Sequence, residues 1–392
     1  MAKRLNGEGT VYERSDRPGT YKAVFTWRDD TTGETITKTF TRNSRKLALS
    51  AGKKWRSEMQ AGLTQSSKTL TVENWINTWL NDYKRPQLRQ KSYEKYAASL
   101  LPYVVPSLGK KYLQKVTTHD VQEMLNKLLE SGGKTGTGLS TSTVQAVRKY
   151  FSSAVEQAVK LGYVKRNFVK DSCPPKTVTK EISILSKEEL RALLKVAAQN
   201  DINTHAAILF AAMTGCRLGE VFGLHWKDVD LDNKTVYIHK ALVTTSLKGQ
   251  ILGKVKTLSS KRWLPIPDEL VSALKALHAY QIESSVTLGN QWQGSGNVFA
   301  NKLGGYIDVS NFTSRNFKSV IIDAGLNPMK IHFHTLRHTF ASLLVSGNVN
   351  PKNVQSLLGH SSVVTTLDIY THQMQQENAK ISQSVNSIFS AK

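Results

Sequence analysis

The 392-residue sequence predicts a multidomain α+β protein: a small N-terminal three-stranded sheet plus a helix, a helical bundle in the middle, and a mainly helical C-terminal half with a small β-hairpin or sheet. Three observations carry this prediction. The chain is longer than one ordinary core organises, so two or three domains are expected. Its apolar pattern changes from alternation broken by turn residues, up to Thr41, to helical spacings of three and four afterwards. Finally, Asp171 to Lys180, DSCPPKTVTK, has the adjacent prolines and polar residues of a linker. The expected divisions are 1–63, 64–175 and 176–392.

Composition narrows the partners. Lys and Arg number 53 against 30 Asp and Glu, a net charge of +23, so the natural ligand is a polyanion, nucleic acid before anionic membrane. There is no apolar run of about 18 residues, the length needed to span a bilayer. The opening MAKRLNGEG lacks the apolar segment of a signal peptide, so a cytoplasmic protein without membrane association is expected. Cys173 and Cys216 are the only thiols and make neither a disulfide framework nor a zinc site. No metal or other cofactor is expected.

Strand candidates in the first segment are Gly9 to Arg14, Tyr21 to Arg28 and Thr35 to Thr41, separated by Asp16-Arg17-Pro18-Gly19 and Asp29-Asp30-Thr31-Thr32-Gly33. Ser44 caps a helix from Arg45 to Gln60, and Leu47, Ala51, Trp55 and Met59 form the stripe expected to pack on one sheet face. The other face is expected to carry Tyr12, Arg14, Lys22, Arg28 and Lys38 outward. Residues 1–63 hold 13 basic against 7 acidic side chains, and a three-stranded sheet of this charge suits the DNA major groove.

Residues 64–180 are more basic still, 19 against 8. Helices are expected from Val72, over Gln90 to Leu101, over Asp120 to Glu130 under a Thr118 cap, and over Thr143 to Leu161, which together make a four-helix bundle. Ser131 to Gly136, SGGKTG, imitates a phosphate loop, but Leu128 stands where the nucleotide-binding pattern needs glycine, so a helix-connecting loop is expected.

In the C-terminal half, Ser186 with Glu189 forms a capping box for Lys187 to Gln199. Asn203 to Thr214 is an apolar helix, followed by TGCRLGEVFGLHW. There Arg217 is expected in the first turn of the next helix, with Glu220 at i+3 orienting its guanidinium. Thr235 to Val243 and Arg262 to Pro267 read as strands flanking a long polar turn with Lys248, Lys254, Lys256 and Lys261. Helices are also expected over Asp268 to Gln281 and Ser310 to Ala324.

The densest stretch is HTLRHTFASLLVSGNVNPKNVQSLLGHSSVVTTLDIY, from His334 to Tyr370. His334 and Arg337 fall in the first turn of one helix and face one site. Asn350-Pro351 opens another helix, Gly359 is placed for a left-handed C-cap, and His360 leaves that helix end. Tyr370 follows ten residues later, after the potential caps Thr365 and Thr366. Side chains of these types act together on a phosphodiester.

These motifs, TGCRLGE, HTLRH, LLGH and DIYTH in this order, resemble the tyrosine recombinase (phage integrase) family over about the last half of the chain. The Tyr lies one residue further from the LGH His than in many members, a variant associated with integrases of phages and integrative elements. The resemblance implies an arm-type DNA-binding domain at 1–63, a core-binding domain at 64–175 and a catalytic domain at 176–392 with a tail from about 374. It also implies a lysine in K-T-x-x-S-x-R, matched by Lys256, Thr257, Ser260 and Arg262. The implied activity is site-specific integration and excision of a prophage or integrative element through a 3′-phosphotyrosyl intermediate and a Holliday junction. Implied partners are double-stranded DNA with core-type and arm-type attachment sites, a homotetramer on that DNA, a host DNA-bending protein and an excision factor. The tail stripe Ile381, Val385, Ile388 and Phe389 is expected to dock on a neighbouring protomer.

The chemistry agrees with the residue types. Cleaving a phosphodiester requires well over ~15 kcal/mol of transition-state stabilisation. Without a metal motif, the guanidiniums of Arg217 and Arg337 are expected to supply it by paired hydrogen bonds to nonbridging oxygens. An arginine does not release its proton, so protonation of the leaving 5′ oxygen falls to Lys256. Tyr370 is the expected nucleophile; ionising a phenol of pKa ~10 at neutral pH costs about 4 kcal/mol, which surrounding cations lower. His334 is expected to accept its proton, His360 to bind the phosphate, and His338 to pack in support. Two other classes share parts of this pattern: a type IB topoisomerase, which needs no arm-type module, and a DNA-binding regulator without chemistry.

Overall fold

The computed structural model describes residues 9–28, 35–60, 70–133, 135–176, 183–247, 249–254 and 260–359. It divides into two compact units, Met1–Val178 and Thr179–Lys392.

In the first unit, β1 (Thr10–Glu13), β2 (Tyr21–Arg28) and β3 (Thr35–Arg42) form an antiparallel sheet in that order, covered by α1 (Arg45–Gln60). Ala23, Phe25, Ala48 and Trp55 are its buried centre. Ala48 and Trp55, not Leu47, face the sheet; Leu47 is 56% exposed. A stripe repeating every four residues drifts off a 3.6-residue turn, and the buried line runs through Ala48, Gly52 and Trp55 instead. A Cβ on Gly52 would fall 2.0 Å from the Phe25 ring, which is why the helix approaches the sheet closely there.

The helical part holds α2 (Val72–Thr78), continued by a π-turn over Trp79–Lys84, then α3 (Gln90–Leu100), α4 (Val104–Leu108), α5 (Thr118–Ser131) and α6 (Thr141–Lys160). Four long helices were expected; α4 is an additional short one. The α5 cap is Thr117, one residue earlier than expected, in a reciprocal box with Asp120. Trp75, Trp79, Val147 and Phe151 fill the core, and the Trp75 indole donates to Ala154 O at 2.9 Å. Of SGGKTG, Ser131 ends α5, Gly132 and Gly133 begin the connection to α6, and Lys134 lies outside the described residues. The front of the expected linker is held down: Arg148 donates to Ser172 O at 2.7 Å and Gln145 to Pro175 O at 2.7 Å. Residues 177–180 of the expected linker lie outside the described residues.

The second unit is built around α8 (Ile202–Thr214), which is apolar on all sides and therefore central. Against it pack α7 (Lys187–Ala197), α10 (Asp268–Leu288), α13 (Phe333–Ser346) and α9 (Leu218–Phe222). The expected Ser186–Glu189 box caps α7. The segment expected as one strand is two in different sheets: β5 (Thr235–Ile238) pairs with β4 (Val229–Asp230) and β8 (Arg262–Pro265), whereas β6 (Lys240–Thr245) pairs with β7 (Gly249–Lys254). The expected polar turn is thus largely a hairpin. Helix α10 runs a further two turns past Gln281, and α11 (Val309–Asn311) continues through a π-turn over Phe312–Phe317 into α12 (Lys318–Asp323). Last comes α14 (Pro351–Leu358), with Pro351 in its first turn and the Asn350 side chain accepting from Lys352 N.

Candidate active site

Helix α8 ends where Gly215 takes φ 63. A Cβ there would lie 2.5 Å from Phe340 and 2.8 Å from Leu358, so glycine is what lets α13 and α14 close over the turn. Arg217 follows as the N-cap residue of α9, one position before the first turn in which it was expected. Its backbone N–H donates to Glu220 Oε2 at 3.1 Å and its Nη1 to Glu220 Oε1 at 2.8 Å, so one carboxylate grips both ends of the residue. Helix α9 is itself seated on β6 at Gly219, where a Cβ would be 2.7 Å from Leu242 O.

Arg337, 2% exposed, donates through Nη1 to Gly215 O and through Nη2 to Leu358 O, both at 2.8 Å. Arg217 Nη2 donates to Gly359 O at 3.1 Å, and Arg262 Nε to Leu357 O at 2.6 Å. Three consecutive carbonyls at the end of α14 thus each accept from a different arginine. The physical reason is general: the last carbonyls of a helix lack helical partners and carry the negative end of its dipole. Gly359, φ 65, is the left-handed cap expected from the sequence, and His360 is the next residue.

Arg262 also donates to Glu220 Oε2 at 2.9 Å, so two guanidiniums, Arg217 and Arg262, bond a single buried carboxylate, and Arg337 is near enough to feel its charge. Burial alone would raise the Glu220 carboxyl, but Arg262 and Arg217 outweigh it and hold it below the usual carboxylate range. Arg337 carries the excess: burial and then the Arg217 charge push its guanidinium down to about 9, still cationic at neutral pH. On the same helix face, desolvation, His338, Arg337 and Arg217 push the His334 imidazole down to about 4. The residue as a whole is exposed, so solvent softens this effect without reversing it. The result is a neutral imidazole beside cations. His338 packs edge-on against it at 4.7 Å between ring centroids, and its buried Nδ1 has no hydrogen-bond partner among the described residues. Burial raises the Cys216 thiol to about 11, which leaves it protonated.

Arg217, Glu220, His334, Arg337 and His338 are therefore brought together. Lys256, His360, Tyr370 and the tail from 374 lie outside the described residues. Arg262 was matched by spacing alone, and its place beside Glu220 was missed; the alternation of Arg262, Leu264 and Ile266 on one strand face, opposite exposed Trp263, was the available signal. In the N-terminal sheet, the register puts Tyr12 opposite Lys22, on the face that also carries Arg28 and away from α1. Lys38 corrects the expectation: it pairs with Phe25 and so shares the α1 face with Ile36 and Phe40. Arg14 continues the outer face and pairs with Asp16.

Among the described residues, no group of His, Cys, Asp and Glu is arranged to hold a metal ion, and no helix is long and apolar enough to cross a membrane. What the arrangement can do is receive an anion: two positive charges remain uncompensated around Glu220, next to a neutral imidazole.

Comparison with known proteins agrees. The phage integrase family model matches residues 183–377, and the model of the phage integrase N-terminal SAM-like domain matches residues 71–129. The chain is 28% identical over 388 residues to a XerC-like tyrosine recombinase of Caldanaerobacter subterraneus, covering 94% of this chain and 96% of that one. It is 26% identical over 348 residues to the ICEBs1 integrase of Bacillus subtilis, covering 88% and 90%. Among solved structures, the Tn1549 transposon integrase bound to transposon right end DNA aligns with a TM-score of 0.67 at 19% identity, over 80% of this chain and 99% of that one. A lambda integrase dimer bound to a core site aligns with a TM-score of 0.56 at 19% identity, over 94% and 96%. The chain belongs to the phage integrase family, the tyrosine recombinases that cleave and rejoin DNA.

Proposed function

We propose that this protein integrates and excises a mobile element at specific DNA sites, and that Arg217, Lys256, His334, Arg337, His360 and Tyr370 carry out the reaction. The observation that carries this reading is the cluster of Arg217, Arg262 and Arg337 on three successive carbonyls at the end of α14, with one carboxylate, Glu220, bonded to two of them. A buried surplus of positive charge is costly unless an anion compensates it. A scissile phosphate is the anion of the right charge, and the donors that Arg217 and Arg337 do not spend on carbonyls and Glu220 are available to its nonbridging oxygens.

In this reading the Tyr370 phenolic oxygen attacks phosphorus and the bond to the 5′ oxygen breaks. The phenol proton passes to His334, which the free protein keeps neutral; the incoming phosphate then favours its protonated form. Lys256 protonates the leaving oxygen, and His360 hydrogen-bonds the phosphate. A 5′-hydroxyl of the partner duplex reverses the step on the 3′-phosphotyrosyl bond, so no nucleotide cofactor is consumed. Glu220 and His338 support Arg217 and His334. Residues 1–63 read arm-type sites with Tyr12, Lys22 and Arg28 on the outer sheet face, residues 64–175 grip the core site, and four protomers exchange strands through a Holliday junction. A host DNA-bending protein and an excision factor set direction, in the cytoplasm of a bacterial host.

The test uses nicked, labelled duplexes from both ends of the element, scored for a protein-linked band on a denaturing gel. The band is expected with the unaltered protein and lost in Tyr370→Phe while DNA binding persists. A band that survives Tyr370→Phe overturns the assignment of the nucleophile.

A further inference from the structure

We propose that Arg262 is a positioning residue for strand cleavage, a single planar fork that sets three separate segments of the active site against one another; this rests on the function proposed above. Its side chain, 6% exposed, points inward from the start of β8 beside Leu264. Nε donates to Leu357 O at 2.6 Å, Nη1 to Ser260 O at 3.0 Å and Nη2 to Glu220 Oε2 at 2.9 Å, with Cys216 Sγ 3.6 Å from Nη2.

Each acceptor leads to a different group of the proposed reaction. Leu357 lies three residues before His360, and its two successors, Leu358 and Gly359, hold Arg337 and Arg217. Ser260 lies four residues after Lys256 in the sequence. Glu220 fixes Arg217 through both its backbone and its guanidinium. Arg262 has donors left for neither solvent nor substrate in this arrangement, apart from one N–H of its five, so it acts through its neighbours. Only a guanidinium presents donors in three fixed in-plane directions; an ammonium on a flexible stem keeps the charge but not the geometry. Displacement of reacting groups by about 1 Å is enough to cost on the order of 100-fold in rate.

The experiment compares the full-length protein with Arg262→Lys on the nicked duplex at saturating DNA, measuring the rate of covalent-complex formation per bound protein together with the Kd for DNA and the melting temperature. The expected result is a rate loss on the order of 100-fold, with Kd changed by less than about threefold, far below the effect of losing a buried contact to DNA. A purely structural role would instead lower melting temperature and DNA affinity in step with activity. Arg217→Lys in the Arg262→Lys background separates the two further. If Arg262 acts through Glu220 and Arg217, the second change costs less than it does alone; independent roles multiply. Should Arg262→Lys not fold, Arg262→Gln, which removes the charge and keeps one amide donor, is measured in the same way. An unaltered protein that forms no covalent band sinks the function and this role together; a normal band with an unimpaired Arg262 variant, or with fully multiplicative effects, sinks the role alone.

Discussion

Arg337 donates to the carbonyl of Leu358 at 2.8 Å, a bond that ties the interior of α13 to the final turn of α14. Its second bond, to Gly215 O, fastens the turn before Arg217 to the same guanidinium. One buried cation therefore spans three segments. The proposed site is organised by backbone carbonyls as much as by side chains. That makes it sensitive to the backbone conformation at the points of attachment.

Gly215→Ala tests this sensitivity. The substitution forces a side chain into φ 63 and sets its Cβ 2.5 Å from Phe340. Left-handed strain and overpacking together should cost about 2–4 kcal/mol. A clear fall in melting temperature and a slower covalent step are expected. An alanine variant with unchanged melting would show that the turn relaxes without cost.

The imidazole pair sets a pH dependence of known sign. Folding holds His334 at about 4, against about 6.5 for an unperturbed histidine. The unfolded chain thus binds more protons between these values, and stability falls as pH drops from 6.5 towards 4. His338, lowered by burial and then by Arg337, acts in the same sense. Calorimetry of the DNA-free protein should show a melting temperature that declines over this range, and His334→Gln should decline less steeply while matching it near pH 7.5. Equal slopes would mean that His334 is not held neutral.

The two faces of the N-terminal sheet should differ in their response to salt. Lys22→Ala and Arg28→Ala, on the outer face, should each reduce the salt slope of binding to arm-type DNA by about one ion. Lys38→Ala, on the α1 face beside Phe25, should leave that slope unchanged and act on stability instead. A salt titration of binding for the three variants decides it; an effect of Lys38→Ala equal to that of Lys22→Ala would refute the face assignment.

Much of the architecture was legible because local rules govern it. The Ser186–Glu189 box, the Asn350-Pro351 helix start and the left-handed Gly359 are each settled by bonds within a few residues. Where a local rule is ambiguous, two residues satisfy it equally and the fold chooses between them. Thr117 and Thr118 are both good caps, and only the geometry of Asp120 selects the first. Leu47 and Ala48 both continue an apolar line to Trp55, and only contact with Phe25 selects the second. The strand expected from Thr235 to Val243 failed at His239, where the chain leaves one sheet for another, because alternation says nothing about which partner a strand takes.

By itself, then, the sequence determined most of the succession of elements, the left-handed cap at Gly359 and the residue types gathered at Arg217, His334 and Arg337. All of these follow from steric and hydrogen-bonding constraints that operate over one or two helical turns. Tertiary structure alone decided that Lys38 faces inward, that Arg262 joins Glu220, and that Leu357, Leu358 and Gly359 divide three arginines among them. Those bonds connect residues as far apart as Arg217 and Gly359, 142 positions, and Arg262 and Leu357, 95 positions. At such separations the partner of a buried charge is chosen by how helices and strands pack, and no periodicity in the chain records that choice.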